Sequence, residues 1–411
     1  MTALIAWLDA SSEDQRRMRE IVNLFSERES RDELGIGQIR DALSDALWPG
    51  TSTLFTRARY FLFIPWCFRV AAEMRNDPGR AAALAEQNER RLIRGLLDAG
   101  ERDGVIGGSV GVAVKNLPSA LYWGGMRTHG ILNDPDLSRD DAIAAELDRA
   151  HTRRPVAAPF DDDITHVWHD GAFHPTLPSV PEGFPATVPS GFTITVDEAE
   201  WLRDRMLASA PDTMLEYALA HRPDPESEFP WRDSVLAGAD GERAHVLDDA
   251  RRFSILMNGA SLVYNLLLAE AYEHAGFSRV DNPVDDYRRR IEQWADTPNL
   301  AHDIATWNRG DFWRRVLQQN PHINARSRRF INAWLDLLAD TDPATLGDDT
   351  RVRSFIAGRE REHKRSQARL TNKRLLQAWL GASGSRALVY RWTQIRPVLH
   401  DIHDGLEGAG A

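Results

Sequence analysis

Cysteine is nearly absent from the chain. The single Cys67 excludes an intrachain disulfide and any cysteine-only zinc site. Lysine is almost as scarce: three of the 50 cations are Lys115, Lys364 and Lys373, and the rest are arginine. Coding in a GC-rich genome explains that skew without any function. Long hydrophobic runs are missing too. The apolar stretch Phe61–Phe68 contains Pro65 and falls far short of the about 20 residues a membrane-spanning helix needs, so no membrane partner is expected. Ala3–Leu8 is cut off by Asp9 and has no basic residue before it, so no secretory leader is expected and the expected location is cytoplasmic. Strands alternating with helices are not seen, which argues against a doubly wound nucleotide fold. Nor does any repeat of fixed period occur.

The 411 residues are 42% hydrophobic and 27% charged, an ordinary globular composition in a chain long enough for two or three packed units. Helical spacing dominates. Ser11-Ser12 opens a helix carrying Met18, Ile21, Val22 and Phe25, and Ile39, Leu43 and Leu47 share one face of a second. Arg57–Phe68 is apolar nearly all round and reads as a buried central helix, and 81–99 reads as an amphipathic one. Residues 151–195 hold seven of the 21 prolines and read as an extended crossing. Helical periodicity returns in Phe253–Tyr272 and over 283–295, 299–318, 324–339, 350–380 and 386–405. The expected fold is mainly α. Two packed helical units, 1–150 and 196–411, would be joined by the proline-rich crossing 151–195.

The charge is uneven. Residues 351–396 carry twelve Lys/Arg against Glu360 and Glu362, a net of +10 that leaves −21 for the remainder of a chain whose total is −11. Read as one continuous helix, this segment repeats Arg361, Arg365, Arg369 and Lys373 every four residues, a stripe able to follow a phosphate backbone or an acidic protein face. Arg359, Lys364 and Arg374 complete the predicted contact set. Pairing of these cations with the chain's own carboxylates is the competing reading.

Other constellations are less complete. Residues 85–132 have the outline of a helix-turn-helix, with Tyr122, Trp123, Arg127 and His129 on the second helix, although two large aromatics suit a core better than a DNA groove. The glycine-rich loop Gly104–Gly111 lacks the Gly-Lys-Ser/Thr of a phosphate loop. His166, His169 and Asp170, beside Asp161–Asp163 and His174, supply donors for a metal but sit where a solvated crossing would be polar anyway. His302-Asp303 resembles half of a helical phosphohydrolase motif, and Asp is also simply favourable in a helix's first turn. Glu360 and His363 have the spacing used in di-metal bundles, without a second such pair. None of these assembles a full catalytic set, so no cofactor is assigned.

Several segments resemble one family. Trp7-Leu8-Asp9, Arg31-Asp-Glu-Leu-Gly-Ile-Gly, Trp48–Thr53, Arg57-Ala-Arg-Tyr-Phe-Leu-Phe-Ile-Pro-Trp, Leu117–Trp123, Arg369-Leu-Thr-Asn, Tyr390-Arg-Trp and Asp401-Ile-His-Asp-Gly-Leu look like an uncharacterised bacterial domain-of-unknown-function family. The resemblance spans most of the chain and carries no catalytic residues. It implies genes lying near helicase-type and restriction-like phage-defence loci. The expected function is therefore an accessory or adaptor protein in a bacterial DNA-processing or phage-defence assembly. Its basic C-terminal segment would touch DNA or an acidic protein partner, with an oligomer or complex subunit as the natural state. The alternatives are a metal-dependent hydrolase or nuclease built on the His-Asp residues, and a purely structural interaction subunit.

Overall fold

The computed structural model describes residues 32–153, 171–188 and 190–408. Fifteen α-helices and one isolated antiparallel bridge, Leu132 to Phe173, make up the regular α and β structure of those residues, so the protein is mainly α. The helix expected from Ser11 lies outside them, as do His166, His169 and Asp170.

Two compact units form, and both are discontinuous: Met1–Ala42 with Asp249–Leu388, and Leu43–Asp248 with Val389–Ala411. This differs from a division at 150 and 195. Composition marks solvated stretches, whereas the units are set by where the chain returns to pack on itself.

The second unit is organised by the helix Tyr60–Met74, which contains Pro65 and is buried along most of its length. Helices Pro78–Asp98, Pro118–Thr128 and Arg139–Arg153 pack against it. Aromatic rings fill the space between: Phe55 stacks on Tyr122 at 4.2 Å, and Phe61 meets Tyr122 edge-on at 5.0 Å. Such pairs add about 0.5–1.5 kcal/mol each beyond the area they bury. Local signals start the helices of this unit. Asp77 caps Pro78–Asp98, accepting from the Arg80 N–H at 2.9 Å, with Pro78 at the first position. Thr195 and Glu198 form a reciprocal capping box for Val196–Ser209.

The proline-rich stretch is a strap rather than a free linker where it is described. Trp66 Nε1 donates to the Pro178 carbonyl at 2.8 Å, and Phe173, Phe184 and Phe192 are buried. Helix Trp392–Glu407 returns to this unit against Val196–Ser209. A Cβ on Gly405 would lie 2.7 Å from Ile194 and 2.8 Å from Ala199, so only glycine permits this approach.

The first unit is built on the Asp249–His274 part of the long helix Gly241–His274. Trp294 and Trp334 donate their indole N–H groups to the Ile255 and Leu256 carbonyls at 2.8 and 3.0 Å. Ser254, Asn258 and Asn265 hold the segment 383–388 through hydrogen bonds to the backbone of Leu388, Ser385 and Ser383. Gly241–His274 is also the one described helix long and apolar enough to cross a bilayer, and 72% of its most apolar window is buried inside the protein. Helices Pro283–Ala295, Leu300–Thr306, Arg309–Gln319, Ala325–Ala339, Thr350–Lys364 and Lys373–Gln377 complete the unit. The sequence reads 299–318 and 350–380 as single helices; each is interrupted. Asn308 caps a new start in the former, and Arg365 turns the chain in the latter.

Candidate functional site

The basic segment begins with Thr350–Lys364. Asp349 caps this helix, accepting from the N–H groups of Arg351 and Val352 at 2.7 and 3.3 Å. The helix stops because Arg365 adopts φ 52° and ψ −120°. A non-glycine residue held there costs about 1–3 kcal/mol, a strain concentrated at functional positions. The continuous stripe Arg361, Arg365, Arg369, Lys373 therefore does not form.

Long-range partners divide the cations. Arg359 is buried: Nε donates to the Leu34 carbonyl at 2.8 Å, one Nη to Ser327 Oγ at 3.2 Å, and the other pairs with Glu362 at 3.1 Å. Its guanidinium also lies 4.7 Å over the Phe330 ring. Burial, with a smaller contribution from nearby Arg326, lowers its pKa from the ordinary value against the opposing pull of Glu362 and Asp32. Lys364 pairs with Glu33 at 3.3 Å. Arg369 also pairs with Glu33 and donates to Ser383 Oγ at 2.9 Å. Glu360, fully buried, accepts from Tyr264 Oη at 2.7 Å and from the N–H groups of Arg369 and Leu370 at 2.7 and 3.2 Å. Burial first, and the neighbouring carboxylates next, push the Tyr264 phenol far above its ordinary range. Buried carboxylates without such partners would be strongly destabilising, so these contacts are primarily structural.

Elsewhere in 351–396, Arg351 pairs with Asp349, Arg353 with Glu270 and Arg391 with Asp45, while Arg396 donates to the Ser227 carbonyl. Arg361, Arg365 and Arg374 remain exposed and form no ion pair among the described residues. Lys373 is exposed, with its ammonium 5.9 Å from the Phe277 ring centre.

Two cations outside that segment join the exposed set. Arg326 and Arg329 stand in the first two turns of Ala325–Ala339, exposed and without an ion pair among the described residues. That helix has no acidic residue in its first turn, and its N-terminal dipole disfavours cations there. The run Asn324-Ala-Arg-Ser-Arg-Arg carried the signal in the sequence, but it lies outside the segment selected by net charge.

Between Ala325–Ala339 and Thr350–Lys364 lies an open groove of about 370 Å³. Its aromatic wall is the Phe330–Phe355 pair, stacked at 5.4 Å with 13° between the planes. Arg326, Arg329 and Arg359 line it against one carboxylate, Glu362, which is already engaged by Arg359. A cationic groove with an aromatic wall suits an anionic ligand that also has a flat or apolar part.

The remaining candidates sit in different surroundings. Tyr122, Trp123 and His129 are buried; Arg127 is exposed. Tyr122 Oη accepts from the Thr56 and Arg57 N–H groups at 2.8 and 3.2 Å and donates to the Arg57 carbonyl at 3.0 Å. Trp123 donates to the Leu137 carbonyl at 2.9 Å, and His129 Nδ1 lies 2.8 Å from Ser209 Oγ. Segment 99–117 separates the two helices, where a helix-turn-helix uses about 3–4 residues. Asp303 is buried and receives Arg251 through both oxygens at 2.7 and 2.8 Å, while His302 is exposed. Asp401 is held by Arg57 and the Ala58 N–H, the latter at 2.8 Å. Among the described residues no three His, Cys, Asp or Glu side chains are grouped to hold a metal ion.

A family model described as "Family of unknown function (DUF6361)" matches residues 2–405. No curated protein and no solved structure matches the chain.

Proposed function

The chain belongs to the family of unknown function DUF6361, and we propose for it a binding rather than a catalytic role: an accessory subunit that holds nucleic acid within a bacterial DNA-processing or phage-defence assembly. The observation that carries this reading is a set of exposed arginines, two of which, Arg326 and Arg329, line the groove. Arg326, Arg329, Arg361 and Arg365 are exposed and form no ion pair among the described residues, in a chain of net charge −11. Arg326 stands in the first turn of its helix, against the dipole, and Arg365 sits in strained backbone, so the placement of these two does not serve local stability. Arginine is also the side chain best matched to phosphate, offering planar, bidentate donors.

The reading is tested by fluorescence anisotropy of the purified chain with labelled duplex and single-stranded DNA over a salt series. Binding that weakens linearly on a log–log plot is expected. No binding at low salt would overturn nucleic-acid contact and leave an acidic protein as the partner to seek.

A further inference from the structure

We propose that the groove between Ala325–Ala339 and Thr350–Lys364 seats one base of a single-stranded nucleic acid against Phe355, with the flanking phosphates on Arg326 and Arg329. This rests on the nucleic-acid reading above and assigns it a strand type and a base site.

The volume comes first. About 370 Å³ falls within the roughly 300–1,000 Å³ typical of small-ligand pockets. The wall comes next. Phe355 is half-buried and lines the cavity, backed face to face by the buried Phe330 at 5.4 Å. Phe330 is fixed in turn by the Arg359 guanidinium at 4.7 Å, which has its own anchors at Leu34, Ser327 and Glu362. The aromatic surface is therefore held in place before any ligand arrives. Stacking on such a surface is sequence-tolerant because every base presents a π-face.

Gly358 supplies an independent sign that the space matters. It lies inside the Thr350–Lys364 helix and lines the groove, and a Cβ built on it meets no atom within 4 Å. Its backbone is not in the left-handed region, and no neighbour requires the missing side chain. Alanine would suit the helix better, so glycine here costs helix stability and keeps the groove open.

Charge selects the occupant. Three guanidinia line the groove against the single, already paired Glu362, which favours a ligand that is anionic beside a flat ring. A duplex keeps its bases stacked inside and presents only phosphate to this face. An unpaired strand presents both groups.

The test compares labelled oligo-dT with a labelled duplex at low salt, using the full chain and two variants. Gly358→Leu fills the groove with a good helix former, and retained folding is checked by its melting transition. Arg326→Glu combined with Arg329→Glu reverses the charge of the exposed arginines that line the groove. Gly358→Leu is expected to weaken oligo-dT binding about tenfold while leaving duplex binding unchanged. Should Gly358→Leu misfold, Phe355→Leu serves as the second groove variant with the same expectation. Equal oligo-dT affinity for the full chain and the groove variant, with binding lost on charge reversal, would overturn the base site and leave the nucleic-acid reading standing. Binding that survives charge reversal, or no binding of either probe by the full chain, would overturn both.

Discussion

Glu360 and Arg361 are sequence neighbours on one helix, and their replacement by glutamine should have very unequal consequences for stability. Glu360 is fully buried, and its two oxygens accept three hydrogen bonds: Tyr264 Oη and the Arg369 N–H on one, the Leu370 N–H on the other. A glutamine amide offers one acceptor oxygen. Either orientation turns its NH2 toward a part-buried backbone N–H of the turn that follows Arg365. A buried donor left unpaired costs about 1–3 kcal/mol, and the lost bonds had a charged acceptor, worth about 1.5–3 kcal/mol each before. Glu360→Gln should therefore destabilise the protein by about 2–4 kcal/mol. Arg361 is exposed, and among the described residues its side chain bonds to its own helix, at the Ala357 carbonyl at 3.3 Å. Arg361→Gln should change stability by no more than about 0.5 kcal/mol. Urea unfolding followed by circular dichroism, in parallel for both variants, measures the difference. A Glu360→Gln midpoint within error of Arg361→Gln would refute the division of this helix into a buried structural side and a solvent-facing side.

Two pH effects follow from the second unit. Burial lowers the His129 pKa from 6.5 to about 4. A base whose folded pKa is depressed gives stability that is present above pH 6.5 and lost as pH falls toward 4, here roughly 3 kcal/mol. Melting curves of the full chain and His129→Gln across that window should converge toward pH 4; an unchanged gap would contradict a buried neutral imidazole. Glu89 is buried where it caps Pro118–Thr128, accepting from the Ser119 N–H at 2.7 Å and Oγ at 2.8 Å, and burial raises its pKa to about 7 against those bonds. An acid raised in the folded state contributes stability below pH 4.5 that disappears as pH rises through 7. Glu89→Gln should flatten the stability profile between pH 5 and 8, and an equally steep fall in that variant would show that another group titrates there.

Much of the fold was legible from spacing and caps. The amphipathic pattern over 81–99 and the face of Ile39, Leu43 and Leu47 each marked a helix that forms. What could not be read was which distant residues meet. Glu33 takes Lys364 and Arg369, and the Leu34 carbonyl takes Arg359, across more than 300 positions of sequence. Counting charge along 351–396 therefore mixed cations that hold the fold together with those that face solvent. The same counting passed over Arg326 and Arg329, which the helix pair brings beside Phe355 and Gly358. Tyr122 and Trp123 carried two readings in the sequence. Their ring volume sends them into the core, where their polar atoms find the Arg57 and Leu137 carbonyls.

The most direct measurement is the salt dependence of DNA binding in the full chain and in a variant with Arg326, Arg329, Arg361 and Arg365 changed to glutamine. Each phosphate contact contributes about 0.9 to the slope of log affinity against log salt on a duplex. The full chain should show a slope of roughly −3 to −4, and the variant one near zero with little affinity left. Matching slopes and affinities for the two proteins would contradict the assignment of these arginines to nucleic acid.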